Sequence, residues 1–469
     1  MSKYKSSKKK IKKPKQRPEN QFELLRKKAS ELFYSGAMVQ ACQIQERLVE
    51  HKDYMAKCNI NNKKVDYKLY LTILYHLSLY SKAVIYAEKM VSILPDDSES
   101  WERLGACYLH CNRIDEGIVA LETANQKSAG NNSNIFSALA HAFAKLNKLE
   151  KARDAGKKTL QIKAFCQQGA NIDLIPDELP CAFNNSEPEK NIISFSLFGH
   201  KSEYCESAII NVREAKVYYP AWQCRFYCDE TVPQSVRFRL TNSGAQVVMM
   251  PKPERWTDGL FWRFLVMDDT NVDRFLIRDC DSIVNSREAA AVDEWIASNK
   301  YFHLMRDSFN HTELILAGMF GGVQGVIPDI AGKIDHFQSQ KYAIQTHLDQ
   351  DFLRKVVWPT FSQSLCSHDR CFDFFQAKPF PANTELPDDR HVGDNKFSTS
   401  VNKTDAVDGT RFKWSLYKKN GELICEYIEV AFGGEWNISI PSEYGDKLLT
   451  GDMKIKGKVI KEINKDLLN

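Results

Sequence analysis

Residues 274–282 read Arg-Phe-Leu-Ile-Arg-Asp-Cys-Asp-Ser, and this short stretch decides what fold the second half of the chain is expected to have. Its first five residues predict a buried β-strand, and two carboxylates, Asp279 and Asp281, follow where that strand ends. Side chains two positions apart in an extended chain share a face. Because clustered carboxylates are costly without a cation, and Mg²⁺ and Mn²⁺ prefer oxygen ligands, the pair is a candidate metal site. The alternative for such a pair is a solvated loop.

The sequence around this stretch alternates between strand and helix patterns from residue 191 onward. Helical spacing occurs at residues 203–218, 260–266 and 286–298, and short β-rich runs occur at residues 192–198, 223–228, 246–250, 274–278 and 301–305. This alternation predicts a mostly parallel sheet with helices on both faces, in which ligands bind at the carboxyl ends of the strands. The polar residues that follow these strands are Gly199, His200, Asp229, Glu230, Asp279, Asp281 and Asp307.

The N-terminal part of the chain, residues 21–165, repeats a helical pattern with a period near 34 residues. Large residues lie on one helix of each unit, and small residues lie where the next helix crosses it, so that neighbouring helices can pack closely. The pattern is seen at Trp101, Leu104, Gly105 and Tyr108, at Phe136, Leu139, Ala140 and Phe143, and at Tyr67, Tyr70, Leu71 and Leu74. It resembles tetratricopeptide repeats, which implies a solenoid that binds a protein partner. The alternative is an irregular helical bundle.

The rest of the chain divides by composition. Residues 166–190 contain three prolines and no helical period, which indicates a linker. Residues 191–395 form the alternating region, and residues 396–469 are β-rich, with Asn420-Gly421 predicting a hairpin turn between two strands. The predicted fold class is therefore α plus α/β: a helical solenoid, a Rossmann-like α/β domain and a small β-rich C-terminal segment.

The paired aspartates resemble the Asp-x-Asp motif of GT-A glycosyltransferases, which use nucleotide-sugar donors. The same order of motifs continues along residues 191–395. Residues 349–353, Asp-Gln-Asp-Phe-Leu, are similar to a signature of family 8 and related transferases, and His391-Val-Gly393 is similar to their late His-x-x-Gly motif, with the glycine one residue early. Two further stretches of the same kind lie at residues 259–264 and 305–322. The resemblance implies transfer of a sugar from a nucleotide diphosphate, with a UDP-sugar as the expected donor, to an acceptor hydroxyl.

The resemblance also implies roles for individual residues. The expected ligands of Mn²⁺ or Mg²⁺ are Asp279, Asp281 and His391. The expected donor-binding residues are Gly199, His200, Asp229, Arg263 and Arg278, and the expected acceptor-binding residues are Asp307, His311, Gly321 and Gly322. The expected catalytic residues are Asp349, Gln350 and Asp351. An inverting enzyme needs a carboxylate to deprotonate the acceptor, for which Asp349, Asp351 and Glu313 are candidates. In a retaining enzyme Gln350 would lie near the reacting face.

Each of these residues also has a purely structural interpretation. Asp349 and Asp351 open an apparent helix, where acidic residues favour the helix dipole without any catalytic role. Gly321 and Gly322 are also consistent with a turn, His391 and Asp229 with loop positions, and Arg263 with the surface. Cys280 is interpreted as a small packing residue, because nothing nearby in the sequence indicates a depressed thiol pKa.

The charge of the chain is unevenly distributed. Residues 1–17 carry nine basic and no acidic side chains, so removing them from the net +4 leaves −5 for the remainder. Residues 1–20 are therefore expected to be a disordered basic tail that binds an anionic membrane surface, or a solvated arm; nucleic acid is not expected as a partner. With no signal peptide, no transmembrane run and thirteen scattered cysteines, a cytoplasmic protein peripheral to the membrane is expected.

Two other functions compete with a glycosyltransferase whose acceptor is a glycan, a lipid-linked glycan or a protein. A phosphohydrolase of the haloacid-dehalogenase type also places an Asp-x-Asp pair after a strand. That motif opens its domain, however, whereas Asp279 comes behind three other predicted strands. The second competitor is a non-catalytic scaffold that uses its repeats to bind partners.

Overall fold

The computed structural model describes residues 21–460 apart from 36, 169–171, 254, 256, 341–347, 388–389, 408 and 432–433. The basic tail at residues 1–20 lies outside the described residues. The chain divides into two compact units, residues 1–148 and 149–469. No helix in the described ranges combines the length and the apolar character that crossing a membrane requires.

The first unit is a row of helices in which each of the longer helices packs on the next one along the chain. Asn59, Asp97 and Asn132 cap three of the helices by accepting hydrogen bonds from backbone N–H groups of the first turn. The helices are α1 (Gln21–Tyr34), α2 (Met38–Val49), α3 (Lys52–Lys57), α4 (Ile60–His76), α5 (Tyr80–Ile93), α6 (Ser98–His110), α7 (Ile114–Lys127) and α8 (Ser133–Lys145).

The predicted period is visible in the backbone as well as in the side chains. Ser78, Asn112 and Asn147, which are 34 and 35 residues apart, all adopt the left-handed conformation just after a helix. Gly105 in α6 and Gly117 in α7 lie where these two helices pack, and a Cβ at Gly105 would come within 2.6 Å of Leu121 Cγ. The tetratricopeptide-like solenoid predicted from the sequence is therefore confirmed.

The second unit contains a seven-stranded sheet in the order β3-β2-β1-β4-β6-β5-β7. Every neighbouring pair is parallel except those formed by β6, which is antiparallel to both β4 and β5. The strands are β1 (Asn191–Leu197), β2 (Gln223–Cys228), β3 (Gln246–Met249), β4 (Arg274–Arg278), β5 (Phe302–Arg306), β6 (Met319–Val323) and β7 (Leu365–Asp369). The first five were predicted to within one residue at each end, whereas β6 and β7 were missed.

The helices of the second unit cover this sheet. Residues 260–266, expected to form an α-helix, form 3₁₀ turns instead, at Asp258–Leu260 and Trp262–Asp268. A π-helical turn at Leu353–Val357 joins two short helices. The helices are α9 (Leu149–Phe165), α10 (Ser202–Tyr218), α11 (Gln234–Asn242), α12 (Ser286–Ile296), α13 (Ile330–Ser339), α14 (Leu348–Phe352), α15 (Trp358–Phe361) and α16 (Ser442–Leu449).

Helix α9 continues the repeat pattern in the sequence but belongs to the second compact unit. Gly156 lies directly against Phe372, since a Cβ at this glycine would overlap the phenyl ring. Lys163 is buried and donates a hydrogen bond of 3.0 Å to the carbonyl oxygen of Thr312. The last helix of the repeat pattern is thus built into the packing of the α/β unit.

The C-terminal residues form two small antiparallel sheets. β8 (Phe397–Lys403) pairs with β11 (Glu435–Pro441), and β9 (Arg411–Lys418) lies between β10 (Leu423–Val430) and β12 (Met453–Val459). The predicted hairpin is confirmed, and Gly421 has the positive φ of +90° that its turn requires.

The two small sheets share the core of the α/β domain. Glu206 of α10 is fully buried and accepts hydrogen bonds of 2.7 and 2.8 Å from Arg239 and one of 2.7 Å from the hydroxyl of Tyr427 in β10. The fold class predicted from the sequence, a helical solenoid followed by an α/β domain and small β-sheets, is confirmed.

The packing of α6 on α7 gives the first prediction. Gly105→Val should lower the free energy of unfolding of the repeat region by about 1–3 kcal/mol, because the new side chain must displace Leu121 in a filled core. Chemical denaturation followed by circular dichroism measures the change.

The control is Ala106→Val on the same helix, which adds the same β-branched side chain at a half-buried position one residue away. Helix propensity alone favours valine over glycine but not over alanine, so a loss for Gly105→Val no larger than that for Ala106→Val would show that the close packing at Gly105 adds little to stability.

Candidate functional site

The sheet order identifies where a ligand is expected to bind. From β1 the chain adds β2 and β3 on one side and then returns to place β4 on the other side. The order of strands therefore reverses between β1 and β4, and in open α/β sheets the crevice at the carboxyl ends of two such strands is the usual ligand site. Asp279 and Asp281 follow β4 directly, and Gly199 and His200 follow β1.

The loop that carries the two aspartates is held by buried hydrogen bonds. The thiol of Cys280 donates to the carbonyl oxygen of Ser196 in β1 at 3.1 Å. The side-chain amide of Asn211 in α10 donates to the carbonyl oxygens of Cys280 and Ser282, both at 3.0 Å. Burial raises the pKa of the Cys280 thiol well above its ordinary value, so this cysteine is neutral and serves packing.

Arg263 joins the acidic loop to a distant part of the chain. Its guanidinium donates to Asp279 and, at 2.7 Å, to Oδ2 of Asp349 at the start of α14. Two serines of β1 hold its backbone, since Ser196 accepts from its N–H at 2.9 Å and Ser194 donates to its carbonyl oxygen at 2.7 Å. Arg263 is 5% exposed. The structure therefore brings together Arg263, Asp279 and Asp349, three of the predicted site residues.

The carboxylates of this group differ in their partners. Arg263 pairs with Asp279 and Asp349, whereas Asp281 accepts a hydrogen bond of 3.1 Å from the neutral amide of Asn395. Burial raises the pKa of Asp281, and the adjacent charge of Asp279 raises it further. The two carboxylates of the loop oppose each other's ionisation, and a divalent cation bound between them would relieve that repulsion.

The donor set suits a hard cation with open coordination positions. Asp279 is 44% exposed, so its carboxylate is accessible from the crevice. Across the part of the chain that the structure describes, no three His, Cys, Asp or Glu side chains come together as a ligand set. Mg²⁺ is commonly bound by one or two carboxylates, with water and a phosphate-bearing ligand in the remaining coordination positions. The residues present therefore fit Mg²⁺ or Mn²⁺.

Gly318 makes room for the first of the two carboxylates. A Cβ at this position would lie 2.0 Å from Oδ2 of Asp279, which no side chain could accommodate without moving the carboxylate. Gly318 immediately precedes β6, the strand that runs antiparallel to β4. Because β6 was not predicted, no local pattern connected this glycine with Asp279.

His391, predicted as the third metal ligand, contacts other groups in the described part of the structure. Its ring packs edge-to-face on His311 at 5.0 Å, and it lines a cavity of about 440 Å³ together with residues of α10. The nearby residue in the chain that contacts Asp281 is Asn395, four positions later. The only signal for Asn395 in the sequence was its closeness to the His391-Val-Gly393 motif.

Asp307 and His311, predicted to bind the acceptor, are buried in structural roles. The carboxylate of Asp307 accepts from the backbone N–H of Val392 at 2.9 Å and pairs with Arg370 at 2.8 Å. His311 accepts from two backbone N–H groups through Nδ1, and burial lowers its pKa well below the ordinary value, so it is neutral. Together they fix the segment that carries His391 and Asn395, and neither opens to the crevice.

The structure does not bring Arg278, Gly321 or Gly322 to the crevice. Arg278 is 2% exposed and pairs with Glu288 of α12 at 3.1 Å. The two glycines lie inside β6, where a Cβ at Gly322 would be 2.7 Å from Cζ of Phe275. They are small because aromatic residues of neighbouring strands pack over β6, and not because a ligand or a turn requires them.

Asp351 and Glu313 belong to a network of alternating charges. Arg354 bridges the two carboxylates, Lys163 of α9 pairs with Glu313, and Lys355 lies 3.4 Å from Asp351. Burial lowers the pKa of Lys163, and Glu313 opposes that effect. Among the predicted catalytic residues, Asp349 is thus linked to the acidic loop through Arg263, Gln350 is half-buried between the two aspartates, and Asp351 faces this network.

The predicted donor-binding residues after β1 and β2 do lie together. The N–H of Gly199 donates to Oγ1 of Thr231 at 2.6 Å, and the N–H of Thr231 donates to Asp229 at 3.1 Å. His200 is exposed beside them, whereas Asp229 is 2% exposed, so its carboxylate shapes the loop instead of facing the crevice.

Tyr204, near the start of α10, is a neighbour of the site that the sequence analysis missed. Burial, followed by the charge of Asp281, raises the pKa of its phenol to about 12. Its ring is 37% exposed and packs edge-to-face against Phe397 at 6.3 Å. An exposed aromatic ring beside the acidic pair offers an apolar surface to a bound ligand.

Comparison with known proteins identifies no family. No protein family matches the sequence, and neither does any curated protein. Among solved structures, MamA from Desulfovibrio magneticus RS-1 aligns over 32% of this chain and 80% of its own, at 16% identity and a TM-score of 0.28. A mutant O-GlcNAc transferase from Thermobaculum terrenum aligns over 55% of this chain and 45% of its own, at 13% identity and a TM-score of 0.37. At these scores neither likeness bears on activity.

The central position of Arg263 gives the second prediction. Arg263→Leu should lower the free energy of unfolding of the α/β unit by about 3 kcal/mol, because it removes the buried guanidinium that pairs with the carboxylates of Asp279 and Asp349. Adding Asp349→Asn should recover part of the loss. Urea denaturation followed by tryptophan fluorescence measures both changes.

Arg255→Leu is the control, because Arg255 is 53% exposed and pairs with Asp258 at the surface, where removing an ion pair costs less than about 1 kcal/mol. A similar small loss for Arg263→Leu would mean that its contacts with the two aspartates add little to stability.

Proposed function

We propose that the chain is a metal-dependent glycosyltransferase that moves a sugar from a nucleotide-diphosphate donor to an acceptor hydroxyl. The observation that carries this proposal is the pair Asp279 and Asp281 at the switch point of the sheet, beside the buried guanidinium of Arg263. An accessible acidic pair at this position suits a cation and a diphosphate together. UDP-sugars are the donors that the resemblance of the motifs suggests.

Each residue has a defined task under this proposal. Asp279 and Asp281 hold Mg²⁺ or Mn²⁺, which when bound would neutralise the charge that develops on the departing diphosphate. Arg263 orients Asp279, and Gly318 leaves the space that its carboxylate occupies. The loop of Gly199 and His200 lines the nucleoside end of the crevice.

The acceptor side is proposed to lie near the start of α14. Asp349 is connected to the acidic loop through Arg263, and Gln350 follows it directly. The carboxylate of Asp349 is the candidate for accepting the proton of an acceptor hydroxyl in an inverting reaction. Asp351, held by Arg354 and Lys355, is assigned to support this segment.

A partner-binding role for the helical repeats is a second proposal, independent of catalysis. The repeats expose several large apolar side chains, among them Val119, Ile85, Ile60 and Val65. A protein acceptor or a protein that localises the enzyme would suit such a surface.

The third prediction tests the catalytic proposal. With Mn²⁺ present, the full chain should release UDP from a UDP-sugar, and Asp281→Asn should reduce turnover at least about 100-fold, since the amide keeps the shape but not the charge. A coupled assay for UDP measures turnover over a panel of UDP-sugars. The same ligands with Mn²⁺ should raise the melting temperature of the unaltered chain.

The matched control is Asp335→Asn, which changes an exposed aspartate of α13 in the same unit and should leave turnover unchanged. Full activity of Asp281→Asn would contradict the proposal. Release of phosphate from a simple phosphomonoester would instead support a phosphohydrolase, and no binding of any nucleotide sugar would support a scaffold.

A further inference from the structure

We infer that Asn211 of α10 is a positioning residue that sets the direction of the two metal-binding carboxylates. This inference rests on the proposed function, because it concerns the same acidic loop. Asn211 is fully buried, comes from a helix that precedes the loop by about 70 positions, and contacts only the backbone of the loop in the hydrogen bonds that fix it.

The three hydrogen bonds of Asn211 surround Asp281. Nδ2 donates to the carbonyl oxygens of Cys280 and Ser282, the residues directly before and after Asp281, both at 3.0 Å. Oδ1 accepts from the N–H of Val284, also at 3.0 Å. One side chain thus holds the peptide group directly before Asp281 and the one directly after Ser282, which fixes the backbone on both sides of Asp281 and so the direction of its carboxylate relative to that of Asp279.

The chemistry of an asparagine amide matches this task. One planar group supplies the two donors and the one acceptor that the loop requires. An aspartate at this position would lose both donors and would add a further negative charge behind the acidic pair. An alanine would leave two carbonyl oxygens and one N–H buried without partners, and the loop would relax to satisfy them.

The carboxylates themselves have little else to fix them within the described residues. Asp281 accepts from the side chain of Asn395, and Asp279 from Arg263. Outer groups that orient metal ligands typically change metal affinity by 10- to 100-fold when they are removed. Replacing Asn211 is therefore expected to lower the affinity for the cation as well as the stability of the fold.

Asn191 provides a matched control, because its side-chain amide also donates to two carbonyl oxygens, but at the opposite end of the parallel strands. It is also fully buried, and its Nδ2 donates to the carbonyl oxygens of Asn184 at 2.8 Å and Ala221 at 3.1 Å. It begins β1 beside Arg274, the first residue of β4, whereas Asp279 follows the last residue of that strand. Its removal should cost stability without touching the acidic loop.

The experiment measures Mn²⁺ binding by electron paramagnetic resonance of unbound Mn²⁺, in the presence of UDP, for the full chain and its variants. Asn211→Ala should weaken Mn²⁺ binding about 10- to 100-fold, and Asn191→Ala should bind Mn²⁺ as the unaltered chain does. Asn211→Ser, which keeps one donor and one acceptor, should show a smaller loss and serves as the test if Asn211→Ala does not fold.

The outcomes separate this inference from the proposed function. No Mn²⁺ binding by the unaltered chain would overturn both. Mn²⁺ binding by the unaltered chain with equal affinity in the Asn211 variants would overturn the role of Asn211 alone. An equal loss in Asn191→Ala and Asn211→Ala would also overturn it, because general destabilisation would then explain the effect.

Discussion

One buried guanidinium, that of Arg263, holds together the parts of the chain that meet at the candidate site. It contacts Asp279 after β4 and Asp349 at the start of α14, which are separated by 70 residues in the sequence, and its own backbone is fixed to β1. A buried charge is tolerated only when it is paired and hydrogen-bonded. The guanidinium can therefore stay buried only where these elements meet. The third carboxylate, Asp281, accepts its side-chain hydrogen bond from the neutral amide of Asn395 instead.

Much of the fold could be predicted because its signals are local. The first five strands of the sheet are short apolar runs that end in polar or glycine residues, and the C-terminal hairpin carries an Asn-Gly turn. The period of the repeats returns in the structure as left-handed residues after successive helices. The missed strands have weaker local patterns. β6 contains two adjacent glycines, and β7 reads Leu-Cys-Ser-His-Asp, so neither has the apolar alternation that indicates a strand.

The candidate site was predictable in part, because sequence patterns indicate which residues follow a strand but not the direction in which their side chains point. Asp279 and Asp281 follow a clear strand, and Arg263 was expected to bind the donor, whereas the structure pairs it with Asp279. Arg278 precedes the same loop by one residue, but its side chain is buried against Glu288 of α12, a partner that no local pattern reveals.

The residues that hold the loop were harder to find. Asn211 and Asn395 lie 69 and 114 positions from the loop residues that they contact. Gly318 matters only because β6 runs back along β4, and Asp307 and His311, with chemically suggestive side chains, turned out to fix a neighbouring segment. Contacts between residues so far apart depend on the order of strands in the sheet, which local sequence patterns do not reveal. The metal ligands could therefore be proposed from the sequence, but the residues that hold them in place could not.

The central claim is that Asp279 and Asp281 bind a divalent cation together with a nucleotide diphosphate. A crystal structure of the full chain with Mn²⁺ and UDP, with the metal located by its anomalous scattering, tests it most directly. The account predicts one Mn²⁺ in contact with a carboxylate oxygen of Asp279 or Asp281 and with the diphosphate, at the carboxyl ends of β1 and β4. Manganese and UDP bound elsewhere, with the acidic pair contacting only protein, would contradict it.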